Sequence, residues 1–180
     1  MHLTESMRDF ILHWGEMGTK WGMNRSVAQI HALLHISPEP MTADEICETL
    51  GLARSNVSTG LKELQGWKLI KASRNLGDRR DHFHSIRDMF DLTKAVVEGR
   101  REREYAPTLA ALRIVAQEAQ NDGTSPKVRQ RIDETLETMQ MFDDWYVDVN
   151  RLPRRVQLAI VKLGGRIARL LPKGQGDKSP

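Results

Sequence analysis

The chain has one cysteine, Cys47, among 180 residues. No intramolecular disulfide can therefore staple it, and a reducing compartment suits it. No segment approaches the ~20 consecutive apolar residues of a membrane span. The first residues, with Glu5, Arg8 and Asp9, lack the apolar run of a secretory signal. A cytoplasmic protein without a membrane partner is expected. The hallmarks of catalysis are also missing: no Gly-rich phosphate loop follows a strand, and there is no nucleophile elbow, metal-ligand cluster or carboxylate pair in a recognisable setting. No catalytic residue, cofactor or metal is expected. His31 and His35 have the i, i+4 spacing of two ligands, but no Glu follows the first and no third ligand is in sight, which leaves them a structural or solvent-facing role. Nothing near Cys47 would lower its thiol pKa, so it reads as a small packing residue. The net charge of +3 is slight. A polyanionic partner must then be met by charge concentrated locally.

Such a concentration lies between Met41 and Ile86. Thr42 and Glu45 have capping-box spacing, which opens a helix that closes at Gly51. A second helix follows over Arg54–Trp67, with Val57, Leu61 and Leu64 on its buried stripe. At about 100° per residue, Ser55, Thr59 and Lys62 point away from that stripe, with Ser58 beside them. The result is a helix-turn-helix whose second helix shows a small, polar, basic face, as entry into a DNA major groove requires. Ser55 and Asn56 are the candidates for base edges, Lys62 for phosphate. After Leu69 the period becomes two. Leu69–Arg74 and His82–Ile86 read as strands, joined by Asn75-Leu76-Gly77-Asp78-Arg79-Arg80-Asp81. A hairpin tipped with arginines directly after a candidate recognition helix is a wing, suited to the negative potential of a minor groove. From Gly51 to Asp81 stand seven Lys or Arg against three acids. The DNA-contacting set expected is Arg54, Ser55, Asn56, Ser58, Thr59, Lys62, Arg79 and Arg80.

The runs Asp44-Glu45-Ile46, Gly51-Leu52-Ala53-Arg54-Ser55-Asn56-Val57-Ser58, Leu61-Lys62-Glu63-Leu64 and Asp78-Arg79-Arg80-Asp81 resemble the winged-helix MarR regulators. Trp14-Gly15-Glu16-Met17-Gly18, Trp21-Gly22-Met23-Asn24-Arg25 and Leu64-Gln65-Gly66-Trp67 are similar to its GbsR-like branch. The likeness spans Phe10 to Arg87. It implies a homodimer that binds double-stranded DNA and controls transcription, usually as a repressor. It also implies a wing in which Asp78 orients Arg80 into the minor groove, although the neighbouring Arg79 leaves the choice between the two arginines open. The GbsR-like branch implies a small-molecule effector of the choline-like quaternary amine class, which aromatic cages bind by cation–π attraction. Trp14, Trp21, Tyr105 and Trp145 are the aromatic candidates for that cage. Their positions in the seam of the first helix already explain Trp14 and Trp21.

The fold class expected is mainly α with a small β wing, a winged helix-turn-helix plus dimerisation helices. An N-terminal dimerisation helix is expected over residues 1–23, the DNA-binding domain over 24–87, a helical dimerisation region over 88–172 and a disordered tail over 173–180. Leu3, Met7, Phe10, Trp14, Met17 and Trp21 form a four-three seam along the first helix, with apolar surface to spare for a second subunit. Pro107 bends the helix that begins near Asp88 or starts a new segment. Val128, Ile132, Leu136, Met139, Phe142, Tyr146 and Val149 form another seam. Gly164-Gly165 weakens the last helix, for which close helix–helix contact would compensate. That helix is basic, which suits contact with DNA or a membrane surface but is expected mainly to balance the acidic helix before it. The competing function is a winged-helix module that docks other proteins without reading DNA sequence.

Overall fold

The computed structural model describes residues 1–74 and 76–170, with side chains through residue 166. Asn75 of the expected turn and the expected tail from Lys173 lie outside the described residues. The chain divides into two compact units, one from Met1 to Tyr105 and a second beginning at Ala106.

In the first unit, α1 (Glu5–Lys20), α2 (Arg25–Ile36), α3 (Ala43–Leu50) and α4 (Arg54–Gly66) precede a three-stranded antiparallel sheet, and α5 (Met89–Arg100) follows it. The sheet consists of β1 (Met41–Thr42), β2 (Ile70–Arg74) and β3 (Asp81–Ser85) in the order β1-β3-β2. The hairpin was legible, but the two-residue β1, pairing Met41 with Phe83, was not, because two residues carry no alternation. The Thr42 capping box forms as its spacing predicts, with Thr42 N donating to Glu45 Oε2 at 2.7 Å and Glu45 N to Thr42 Oγ1 at 3.3 Å. Gly51 ends α3 at φ +64°, where a side chain would be strained. Ile30, Leu33, Ile46, Val57 and Leu64 form the centre of the core, so α2, α3 and α4 converge on one apolar focus.

Within the protomer, α1 packs through its small residues and leaves part of the seam uncovered. Its buried residues are Ile11, Gly15 and Gly18, whereas Phe10 and Trp21 are exposed. A Cβ on Gly18 would overlap the Cβ of Ala28, and one on Gly15 would come 2.8 Å from Gln29 Cγ. Small residues let the two backbones close up, and the indoles are displaced to the flank of the contact.

After α5 comes a π turn over Arg101–Tyr105, followed in the chain by α6 (Ala106–Ala119). Pro107 cannot donate to the carbonyl four residues back, that of Arg103, so the α ladder has a missing bond beside the wide turn. The second unit consists of α6, α7 (Pro126–Arg151) and α8 (Arg154–Leu170). Its core is thin. Leu109, Ala116 and Ala119 are buried on α6, and no residue of α7 is fully buried. The α7 seam is only partly covered, since Val128 and Phe142 are exposed, and so are Met141 and Trp145. The close contact expected at Gly164 and Gly165 is not found among the described residues, none of which lies within 4 Å of a Cβ built at either position.

Candidate nucleic-acid interface

Helix α4 buries Val57, Gly60, Leu61 and Leu64 and exposes Ser55, Asn56, Ser58, Thr59 and Lys62. Gly60 is the one buried member the apolar pattern did not include. A Cβ there would stand 2.8 Å from Ile30 Cδ1, so glycine seats α4 close to α2. The cap residue Ala53 offers no side-chain acceptor, which leaves the first amides of α4 to solvent or to an anion. Arg54, at the start of α4, is ion-paired with Asp44 in the first turn of α3. Both side chains are largely exposed, so the pair adds little stability but balances one charge on this face.

The wing tip is ordered by its own hydrogen bonds. Asp78 receives the Arg80 fork, Nη2 donating to Oδ2 at 2.7 Å and Nε to Oδ1 at 3.0 Å, and also the Arg80 backbone amide at 2.9 Å. These donors hold the Asp78 carboxyl well below the ordinary carboxylate range. His82 approaches from the strand, its Nε2 3.2 Å from Asp78 Oδ2. Arg74 and Asp81 face each other across the hairpin, Nε to Oδ1 at 2.8 Å. Arg79 makes no ion pair among the described residues. The geometry thus gives Arg80 a fixed direction and leaves Arg79 free at the surface.

A groove of about 450 Å³ runs between α4 and the wing, with Arg54, Ser58, Lys62, Arg79 and Arg80 among its lining residues. Five of the eight expected contact residues thereby meet in one concavity. Ser55, Asn56 and Thr59 are exposed on α4 but do not line it. Asp44 pairs with Arg54 and His82 with Asp78. Each meets its arginine or carboxylate across a fold, which spacing does not reveal.

The aromatic candidates separate. Trp14 and Trp21 line an apolar pocket of about 60 Å³ in the first unit, together with Trp67, His31 and Leu92. Tyr105 is not among its lining residues, and Trp145 belongs to the second unit. Trp67 was part of a recognised run, but nothing in its spacing marked it as a pocket wall. His31 stands 6.0 Å from the Trp14 ring, centroid to centroid, and its Nε2 is 3.0 Å from Ser85 Oγ, while His35 Nδ1 donates to the Ile86 carbonyl at 3.1 Å. Burial, and secondarily the charge of nearby His35, lower the His31 pKa to about 4. As pH falls, the unfolded chain then takes up this proton before the folded one. The stability conferred by neutral His31 is complete above pH ~6.5 and declines towards pH 4, by up to ~3 kcal/mol. Urea unfolding at pH 7.5 and pH 4.5 should show that loss in the wild type and a smaller one in His31→Gln. Equal pH dependence in the two would mean that His31 does not carry the effect.

Comparison with known proteins agrees with this geometry. Residues 21–81 match the MarR family. The chain is 28% identical over 162 residues to the HTH-type transcriptional repressor GbsR of Bacillus subtilis (strain 168), covering 85% of this chain and 87% of that protein. A crystal structure of a transcriptional regulator superimposes with a TM-score of 0.65 at 18% identity, over 79% of this chain and 94% of that one, which establishes likeness of fold.

Proposed function

We propose that this chain, a MarR-type transcriptional regulator whose residues 21–81 form the family's winged helix, represses transcription as a homodimer on double-stranded DNA and answers to a small organic cation. The observation that carries the DNA reading is the groove in which Arg54, Lys62 and both wing arginines stand beside the small polar face of α4. In this reading α4 enters the major groove and the wing reaches the minor groove next to it. Phosphate binding releases counterions, so affinity must fall steeply with salt. A titration of DNA from upstream of its own gene at rising salt is the test, and Lys62→Ala should flatten the salt slope by about one unit. Salt-independent binding, or none at low salt, would favour a protein-docking winged helix.

The dimer reading rests on apolar surface the protomer leaves open. Phe142 and Trp145 are each 58% exposed, and Trp21 is 57% exposed. Residues 1–23 and 88–172 are the proposed dimerisation elements. Light scattering should give a dimer at low micromolar concentration. Gly164→Ala adds a sharper reading. With no described residue of the protomer within 4 Å of it, the change should stabilise α8 by ~1 kcal/mol, whereas a partner helix seated there would reverse the sign. The cation reading rests on the three indoles of the 60 Å³ pocket. That space holds roughly two waters, so an effector such as choline must move a wall to enter.

A further inference from the structure

Trp67 follows the last residue of α4, and the Arg103 guanidinium lies 3.4 Å from the centroid of its ring. Three further features meet at the same place. Gly99 is buried on α5, and a Cβ there would come 2.5 Å from Arg103 Nη2 and 3.0 Å from Trp67 Cε3. Glycine weakens a helix interior relative to alanine. Its presence at 99 is explained by the space the stacked arginine and indole occupy. Lys68, next after Trp67, has φ +59°, a left-handed conformation that a residue with a side chain adopts at a cost. Its ammonium is 3.3 Å from Glu102 Oε1, and Arg103 Nη1 donates to the Gly66 carbonyl at 3.5 Å. Glu102 and Arg103 both belong to the π turn Arg101–Tyr105. A π turn inserts one residue into an α ladder and is frequent at functional sites. Two uncommon backbone conformations therefore face each other, joined by an ion pair and a cation–π stack.

We propose that Glu102 and Arg103, seated by the Gly99 notch and the π turn, are positioning residues that latch the C-terminal end of α4 and so set the angle at which its polar face is presented. The proposal rests on the reading of α4 as the DNA-reading helix. The latch has a defined open form. Relaxing the π turn to α register changes the helical phase by about 100°, which carries the Glu102 and Arg103 side chains off Lys68 and Trp67. Trp67 is also a wall of the pocket shared with Trp14 and Trp21. A group entering that pocket bears on the residue the latch holds.

The test uses the full-length protein with Arg103→Gln, Arg103→Lys, Lys68→Glu and the exchanged pair Lys68→Glu with Glu102→Lys. Two quantities are measured: affinity for DNA from upstream of its own gene, and hydrogen exchange of the Trp67, Lys68 and Leu69 amides without DNA. Arg103→Gln should lower affinity about fivefold, as loss of an exposed cation–π contact implies, and speed exchange at those amides several-fold. Arg103→Lys should restore part of both, and the exchanged pair should recover what Lys68→Glu alone loses. Unchanged exchange in Arg103→Gln overturns the latch. So does an affinity loss matched by global destabilisation and not relieved by lysine. If the wild type binds no DNA while exchange responds as stated, the latch stands and the DNA reading falls.

Discussion

Arg80→Ala should weaken binding to the operator by roughly tenfold or more, about 1.4 kcal/mol, and Arg80→Lys should recover little of it. Asp78 grips the Arg80 fork through two side-chain oxygens and also takes the Arg80 amide, so the guanidinium is aimed before DNA arrives. A planar cation held in this way gains from a narrow minor groove and loses in a wide one. Lysine has neither the fork nor the weak hydration that lets arginine shed water there. The sign of a second substitution is the sharper result. Asp78→Ala removes a negative charge near DNA, and charge alone says binding should tighten. If the carboxylate works by directing Arg80, binding should weaken instead, though less than in Arg80→Ala. His82 also contacts Asp78, so part of the carboxylate's own placement comes from the strand rather than the tip. Fluorescence anisotropy at fixed salt decides it. Tighter binding by Asp78→Ala would assign the minor groove to the unpaired Arg79.

Gly18→Ala should destabilise the first unit by ~2 kcal/mol, against the helix preference, which favours alanine by ~1 kcal/mol. The added methyl would overlap the Cβ of Ala28. A Cβ is fixed to its backbone and cannot rotate aside, so α1 and α2 must move apart. Overpacking of that kind costs ~1–3 kcal/mol, and separation also uncovers Ile11, which α1 otherwise buries. The two contributions exceed the gain in helix preference. A thermal melt should show the midpoint several degrees lower, and an unchanged or raised midpoint would mean that the helices do not approach closely at Gly18. Trp21 and Trp14 border the same helix, so their fluorescence reports whether α1 loosens before the rest unfolds.

The winged helix was readable because its signals are local. Thr42 and Glu45 are three residues apart, Gly51 closes a turn with its own backbone, and the hairpin carries its turn residues between two strands. The pairing of Asp78 with Arg80 was implied by family likeness, and spacing left Arg79 as an equal candidate until the folded wing placed the Arg80 fork on Asp78. The polar face of α4 was equally plain, since helical period decides which side chains point away from Val57 and Leu64. Family likeness added the expectation of a DNA-bound dimer, which composition with its slight net charge would not have suggested.

Tertiary structure decided matters that depend on residues far apart in the chain. The seam of large side chains on α1 was expected to meet a second subunit or its own domain; within the protomer, Gly15 and Gly18 determine the contact with α2, because two helices approach where side chains are smallest. Whether a glycine marks close packing or open space is invisible in sequence: Gly18 and Gly99 have neighbours at contact distance and Gly164 has none. Asp44 reaches Arg54 and Arg103 reaches Trp67 only after the chain has folded back. Periodicity and turn chemistry, being local, determined from sequence alone where the helices and wing would be. Side-chain pairings between distant segments were set by the packing of one helix on another, which only the folded chain contains.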